Sequence, residues 1–214
     1  MQYANGLLTK ERVFETAKAL MHEHGYKKTT YSMIASKADV PVGLVNYYYK
    51  KMELVERIYL DFFQKIDYHI MEQDGIPENT LQYHILFSRI MMTQIFSDAQ
   101  TRAFHLEINY NNLLPQAVHT LIRSRQVSII ESLQMKMTPQ YYYWCATAEY
   151  GARRELIEQN KNIDVNSPEF LTLLNLLSTI TLRIVGLDQS FIDENLRRAN
   201  EFYELMDCSD VMMF

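Results

Sequence analysis

The chain has 214 residues, 48% of them hydrophobic and 22% charged, with only 6 Gly and 5 Pro, which favours an all-helical protein with a large core. It shows neither the apolar run of a signal peptide nor an uncharged stretch long enough to span a membrane, so we expect a cytoplasmic protein without a membrane partner. The net charge of -5 is uneven: residues 1–58 carry nine Lys and Arg against six Asp and Glu, and the remainder carries twelve against twenty, as expected for DNA contact at one end only.

The first predicted helix begins with Thr9 as N-cap and ends near His24. Val13 and Ala17 lie on one stripe at helical spacing, which predicts its buried side. Gly25 follows and can adopt the left-handed conformation that ends a helix.

Residues 29–55 predict two short helices joined by a tight turn, followed by the start of a longer helix. Asp39 stands where the chain must reverse, and Asp tolerates the positive φ of such a turn better than most residues other than glycine. Pro41 suits the first turn of the second short helix, predicted over Val42 to Tyr49, because that position needs no backbone N–H.

The second short helix has the properties of a DNA-reading helix. Its exposed side is polar and aromatic, and two lysines follow it directly, which suits a major groove with phosphates on either side. We expect DNA contacts from Thr30, Tyr31, Ser32, Pro41, Val42, Gly43, Leu44, Asn46, Tyr47, Tyr48, Lys50 and Lys51.

Residues 9–56 resemble the DNA-binding domain of the tetracycline-repressor (TetR, AcrR-like) family of bacterial regulators. The resemblance rests on matches at the family's spacing by Gly25, Tyr26, Thr29, Thr30, Ile34, Ala35, Ala38, Val40, Gly43, Tyr48 and Glu53. It implies a three-helix helix-turn-helix domain over residues 1–56 that binds a double-stranded DNA operator.

Four positions depart from the family pattern. Asp39 replaces the turn glycine and Tyr49 a phenylalanine, and both changes are physically conservative. Met52 replaces a lysine that grips the DNA backbone in relatives. Asn46 replaces a tyrosine, and two interpretations stay open: a bidentate bond to adenine, or a contact to phosphate or water.

The second domain is predicted over residues 57–214. A helix from Met52 to Met71 connects it to the first, and a break at residues 73–77 follows. Further helices are predicted at Leu81–Phe96, Asp98–Tyr110 and Pro115–Met137, and after the caps Thr138-Pro139 and Ser167-Pro168. The helix Leu81–Phe96 is apolar all round, so we expect it at the centre.

The late helices predict either a dimer interface or a stripe facing the protein's own core. One stripe steps at alternating intervals of three and four residues through Phe170, Leu173, Leu177, Ile180 and Ile184. The helix after Pro139 adds Tyr141, Cys145, Ala148 and Ala152. The resemblance favours a homodimer, because members of the family usually pair through two late helices that form a four-helix bundle.

Arg89 is the only formal charge in the central helix, and an unpaired buried charge is very costly. The structural interpretation gives it Glu107 or a backbone carbonyl as partner. The functional interpretation places it in a pocket for an unidentified small-molecule effector, together with Met92, His105, Tyr110 and Trp144.

No cofactor, metal site or catalytic constellation is predicted. The six histidines and two cysteines show no metal-ligand spacing, and neither a nucleophile signature nor a phosphate loop occurs. The leading hypothesis is therefore a homodimeric repressor released from a pseudo-palindromic operator by a small molecule. The alternative is an inducer-free architectural or cell-division factor on the same fold, and an enzyme ranks third.

Overall fold

The computed structural model describes residues 2–73, 77 and 79–214, and over these residues the chain forms ten α-helices and no strand. The predicted all-α fold is confirmed. The helices are α1 Gln2–Lys28, α2 Tyr31–Ala38, α3 Val42–Tyr48, α4 Lys51–Met71, α5 Thr80–Ser97, α6 Ala99–Tyr110, α7 Gln116–Ser132, α8 Pro139–Gln159, α9 Pro168–Ile184 and α10 Gln189–Glu204. Among the described helices, none is both long and apolar enough to cross a membrane.

Side-chain caps fix where several of these helices begin. The hydroxyl groups of Thr138 and Ser167 accept hydrogen bonds from the backbone N–H groups three residues on, and a proline follows each at the first helical position. Both predicted caps are confirmed. Asn79 and Asp98 cap α5 and α6 in the same way, which satisfies N–H groups that have no partner inside the helix.

Some predicted boundaries were wrong. Helix α1 begins at Gln2 rather than at Thr9, although Gly25 interrupts it as predicted, with φ 81 and ψ 172. Helix α7 ends at Ser132, because Gln134 takes a left-handed conformation (φ 51) that stops the helix before the next cap.

The predicted break at residues 73–77 lies largely outside the described residues. Helices α4 and α5 lie on either side of it. The predicted boundary between residues 56 and 57 falls inside α4, which continues unbroken from one end to the other. We call α1 to α3 the head, and α5 to α10 with residues 205–214 the body.

Helix α5 lies at the centre of the body, as its composition predicts. It packs against α4, α6, α7, α9 and α10, and 11 of its residues are buried. The largest fully buried side chains of the core come from α1, α2, α4, α5 and α6, and they include Phe14, Tyr59, Phe62, Phe96 and Phe104. Head and body therefore share one continuous hydrophobic core along α4.

Residues 205–214 leave α10 and run without helix back towards the head. Gln94 donates a hydrogen bond to the carbonyl of Cys208 at 2.8 Å, and Lys65 donates to that of Met212 at 3.1 Å. The ring of Phe214 then stacks on His22 of α1, with 4.8 Å between the ring centroids, and meets the Phe104 ring edge-on at 5.1 Å. The segment thus touches α1, α4, α5 and α6.

Candidate DNA-binding surface and body cavity

The turn between α2 and α3 has the geometry that the sequence predicts. Asp39 adopts φ 52 and ψ 58, and the backbone N–H of Val40 donates to the carbonyl of Ala35 at 3.0 Å. Ile34, Ala38 and Val45 are buried beneath the turn. Because the two short helices share this small core, α3 is held with its other side free.

The predicted DNA-binding residues lie on α3, at the start of α2 and in the short segments on either side of α3. Tyr47 is 81% exposed and Val42 43% exposed, although both are apolar or aromatic. The remaining members are exposed or half-buried, and these are Thr30, Tyr31, Ser32, Pro41, Gly43, Leu44, Asn46 and Tyr48. A short helix that presents large side chains to solvent is organised for contact with another molecule.

The two lysines after α3 have different environments. Lys50 is exposed, whereas the ammonium of Lys51 lies 4.3 Å from the centre of the Tyr26 ring and 3.5 Å from the carbonyl oxygen of Lys27. Partial burial lowers the pKa of Lys51. Lys50 is thus the free cation, while Lys51 ties α4 to the end of α1.

Two further contacts, which the sequence did not single out, fix the start of α4. The Tyr31 hydroxyl accepts a hydrogen bond from the backbone N–H of Lys51 at 2.8 Å, and the Glu53 carboxylate accepts from that of Lys50 at 2.7 Å. Tyr31 is therefore a bridge between α2 and α4. Only the glutamate three residues after the N-cap, which is the second half of a capping box, could have indicated the second contact, because Lys50 stands where that motif has Ser or Thr.

Arg57 is the other residue that sequence reasoning missed. Its guanidinium lies 3.8 Å from the centre of the Phe14 ring, donates to the Tyr49 hydroxyl at 2.8 Å and pairs with Glu11 at 2.6 Å. It therefore links α1, the end of α3 and α4. The hydroxyl of Tyr49, which replaces a phenylalanine of the family pattern, is what gives Arg57 this partner.

A cavity lies in the body beside α4. Its volume, taken as the space that the centre of a water molecule could occupy, is about 90 Å³. Its walls come from α4, α5, α6, α7 and α8. Aromatic and methionine side chains form much of the wall, namely Tyr59, Phe63, Phe87, Met91 and Met92. Tyr110, which is 69% exposed, brings the cavity to the protein surface.

Several polar groups of the cavity wall are paired or neutral, while the buried atoms His84 Nε2 and Arg125 Nε have no hydrogen-bond partner among the described residues. Arg125 binds both carboxylate oxygens of Asp67, and Arg153 pairs with Glu149 at 2.6 Å. Burial, followed by the nearby charge of Arg153, lowers the pKa of His105 to about 4. The same two causes lower the pKa of His84 to about 4, so both imidazoles are neutral at pH 7.

Three of the five predicted pocket residues line this cavity, and two do not. Met92, His105 and Tyr110 are on its wall. Arg89 points instead to α9 and α10, where it donates to Asn175 at 3.0 Å and Asn200 at 2.7 Å and lies 4.7 Å from the Tyr203 ring centre. Trp144 is 59% exposed on the outside of α8.

The expected pairing of Arg89 with Glu107 was wrong, because α6 turns Glu107 towards the head. Its carboxylate accepts hydrogen bonds from the backbone N–H groups of Tyr26 and Lys27 at 2.7 and 2.9 Å. The side-chain amides of Asn175 and Asn200 and the ring of Tyr203 surround Arg89 instead of Glu107. The functional interpretation of Arg89 as a pocket residue is corrected accordingly.

The structure separates the predicted dimer residues into two groups. Helix α9 lies between α5, α8 and α10, so its stripe is buried within the single chain: Phe170, Leu173, Leu177 and Ile180 are at most 7% exposed. Cys145 is 5% exposed, and Ile184 is half-buried against the same small cluster. These residues serve the protein's own core, which corrects the prediction that they form an interface.

The other predicted dimer residues lie on the outside of α8. Tyr141 is 48% exposed and Ala148 is exposed, while Ala152 is half-buried. Trp144 lies on the same side. Both cysteines are buried free thiols, and the described residues contain no group of three or more His, Cys, Asp or Glu that could hold a metal ion.

The head is thus a helix-turn-helix DNA-binding domain, joined by α4 to a helical body with a cavity. Residues 13–58 match the family model of the bacterial regulatory proteins of the tetR family. The match covers α2, α3, most of α1 and the start of α4, so the head is similar to the DNA-binding domain of that family.

Two solved structures resemble the chain over most of its length. RolR, in complex with its ligand resorcinol, is 15% identical, with a TM-score of 0.61, over 91% of this chain and 96% of that one. GusR of Salmonella enterica is 21% identical, with a TM-score of 0.45, over 84% of this chain and 96% of that one. The RolR likeness supports the fold of head and body together. A comparison with curated protein sequences finds no significant match.

Proposed function

We propose that the protein is a homodimeric repressor that leaves a pseudo-palindromic operator when a small molecule enters the body cavity. One observation carries the proposal: α4 begins at the DNA-reading helix, and its residues Tyr59 and Phe63 line the cavity. A ligand in the cavity would therefore contact the helix that connects the body to the head.

The DNA-binding part of the proposal is supported by the exposed side of α3 and by Lys50. A single helix of seven residues reads too few bases for useful specificity, so two copies on successive major grooves, roughly 34–36 Å apart, are needed. A dimer with two heads meets this requirement.

The outside of α8 is the surface we propose for the dimer. It combines exposed aromatic residues, Tyr141 and Trp144, with small residues, Ala148 and Gly151, that permit close approach of a second helix. The double variant Trp144→Asp, Ala148→Asp should be monomeric in sedimentation velocity at micromolar concentration. An unchanged dimer would place the interface elsewhere.

The cavity favours the ligand-responsive repressor over the inducer-free alternative, because an architectural protein has no need of unfilled space in its core. The RolR structure, which holds resorcinol, gives a solved example of a small molecule bound by a similar fold. Release requires that the ligand bind more tightly to a dimer whose heads no longer match successive major grooves than to the DNA-bound dimer. A difference of a few kcal/mol between the two binding free energies is sufficient.

Footprinting of the purified protein on the DNA upstream of its own coding sequence tests the proposal. We expect two protected half-sites on one face of the DNA, and their protection should be lost when a cavity ligand is added. Protection that no cavity ligand alters would favour the inducer-free alternative. Absence of sequence-specific protection on this and on selected random DNA would contradict both.

A further inference from the structure

The cavity wall carries charged side chains, and most of them already have an opposite charge as partner. Among the described residues that line the cavity, five are charged at pH 7, because His84 and His105 are neutral. Four of the five belong to ion pairs, which are Arg125 with Asp67, Arg153 with Glu149 and Glu158 with Lys161. The fifth is Arg154, so the wall has one positive charge left over.

Arg154 lies on α8, one turn after Tyr150, and both residues line the cavity. It is half-buried, and it makes neither a hydrogen bond nor an ion pair with any residue that the structure describes. Burial raises the pKa of Tyr150, and the positive charge of Arg154 opposes that rise. The Tyr150 hydroxyl lies 3.4 Å from Oδ1 of Asn109, another wall residue, so the charge of Arg154 acts on the polar part of the wall.

Two further nitrogen atoms of wall residues have no partner among the described residues. These are Arg125 Nε and His84 Nε2, and both are buried. A guanidinium nitrogen can only donate, whereas a neutral imidazole has one donor and one acceptor. Arg154 adds a group that is only a donor and that a ligand can reach, since it is half-buried. A ligand that supplies acceptor oxygens therefore matches this wall better than one that supplies donors.

Much of the remaining wall is apolar, with aromatic rings and methionine side chains such as Phe63, Phe87 and Met91. The volume is somewhat below the roughly 150 Å³ of an apolar cavity that binds benzene, and the opening at Tyr110 admits a substituent. The size therefore indicates a ligand with one six-membered ring. Apolar surroundings also strengthen the attraction between Arg154 and an opposite charge, because their dielectric constant is lower than that of water.

We propose that the cavity takes an anionic molecule of about one six-membered ring, whose carboxylate pairs with Arg154 while the ring packs against the apolar wall. The body as a whole is acidic, since residues 59–214 carry twelve Lys and Arg against twenty Asp and Glu. Charges more than about 8 Å away are largely screened at physiological salt, so the pairing of groups on the wall decides the preference. This inference rests on the proposed function, since it names the class of ligand for the same cavity.

Three rings of matched shape test the preference for an anion. Benzoate, benzamide and benzamidine carry two oxygens, one oxygen and one nitrogen, or two nitrogens on the same carbon, and at pH 7 they are negative, neutral and positive. Titration calorimetry with the full chain at physiological salt should show benzoate binding about 5-fold more tightly than benzamide. The expected factor is modest because a half-exposed ion pair is partly screened by water. Benzamidine should bind more weakly than either.

Arg154→Gln removes the charge, so the ratio between benzoate and benzamide should fall to about 1. Arg154→Glu reverses the charge and should bind benzamidine more tightly than benzoate. Arg123→Gln is the matched control, because it removes the same charge from the exposed side of α7, outside the cavity wall, and should keep the preference for benzoate. Circular dichroism and thermal melting establish that each variant is folded.

Three results would overturn the inference: benzoate binding to the wild type no more tightly than benzamide or benzamidine, a benzoate preference that persists in both Arg154 variants, or no binding of any ring to the folded wild type. Footprinting of the same preparations separates the two proposals. Release of the operator by benzamide or benzamidine as readily as by benzoate sinks this inference alone. A preference for benzoate without any effect of saturating benzoate on the operator sinks ligand-controlled release instead.

Discussion

The Glu107 carboxylate of α6 lies 2.7 Å from the backbone nitrogen of Tyr26, so the body caps the end of the head's first helix. A second hydrogen bond, from Lys27, reaches the other oxygen. Gly25 precedes them, and a Cβ there would lie 2.6 Å from Glu107 Oε2. The glycine is needed for its positive φ and also for this close approach.

Glu107→Ala should lower the free energy of unfolding by about 1–3 kcal/mol, since two charge-assisted hydrogen bonds from backbone N–H groups lose their acceptor. Urea denaturation measures the loss, and hydrogen exchange at the amides of Tyr26 and Lys27 should accelerate. Glu155→Ala is the control, because Glu155 is exposed and, within the part of the chain that the structure describes, accepts only from Gln159 of its own helix. Equal effects of the two substitutions would contradict a role in joining head to body.

Lys50→Ala and Lys51→Ala should have different consequences. Lys50 is the exposed cation beside α3, so its loss should weaken binding to all DNA sequences and reduce the salt slope by about 1. Lys51→Ala should chiefly destabilise the head, because it removes the contacts with Tyr26 and Lys27. Gel-shift titrations over a range of salt, with melting curves for each variant, measure both. A salt slope unchanged in Lys50→Ala would mean that it makes no phosphate contact.

Asn46→Ala should relax the base preference at one position in each half-site. Asn46 is exposed on α3, and Asn can bond bidentately to adenine in the major groove with about 1–3 kcal/mol of discrimination. Selection of preferred operators from random DNA by wild type and variant provides the comparison. If the two preferred sequences agree at every position, Asn46 contacts phosphate or water instead.

Stability should fall as the pH drops from about 6.5 to about 4. In the folded chain burial lowers the pKa of His105 and His84 to about 4, so over this range the unfolded chain binds more protons than the folded one. The contribution of His105 is fully present above about pH 6.5 and is lost towards pH 4, at a cost of about 3 kcal/mol.

Urea midpoints measured between pH 4 and 7 test this dependence. The double variant His84→Gln, His105→Gln should show a shallower fall than the wild type over the same range, whatever its stability at pH 7. Parallel curves for the two proteins would show that other groups cause the acid sensitivity.

Local rules explain why so much of the head was predictable. A cap, a turn residue and a buried stripe are set by residues within about ten positions of one another, as in the Asp39 turn between α2 and α3. The contacts of Arg57 were not predictable in this way. Its partner Glu11 is 46 positions away, and no spacing rule connects the two.

Contacts between residues distant in sequence were still harder to predict in the body. A stripe of apolar residues reports that one side of a helix is buried but not what buries it, which is why α9 suggested a dimer surface while its side chains face α5. The partner of Arg89 was missed for a related reason, since Asn175 and Asn200 come from two different helices brought together only by the tertiary fold.

Residues 205–214 hold the head at a point separate from both α4 and the Glu107 carboxylate of α6. A head held by one helix could swing in any direction about the end of that helix. Here α1 is also held by the stack of Phe214 on His22 and by the hydrogen bonds from Tyr26 and Lys27 to Glu107. The head can therefore turn relative to the body only if these contacts break or if α6 and the C-terminal segment move with it, so a change in the separation of two heads would require a rearrangement of the body itself.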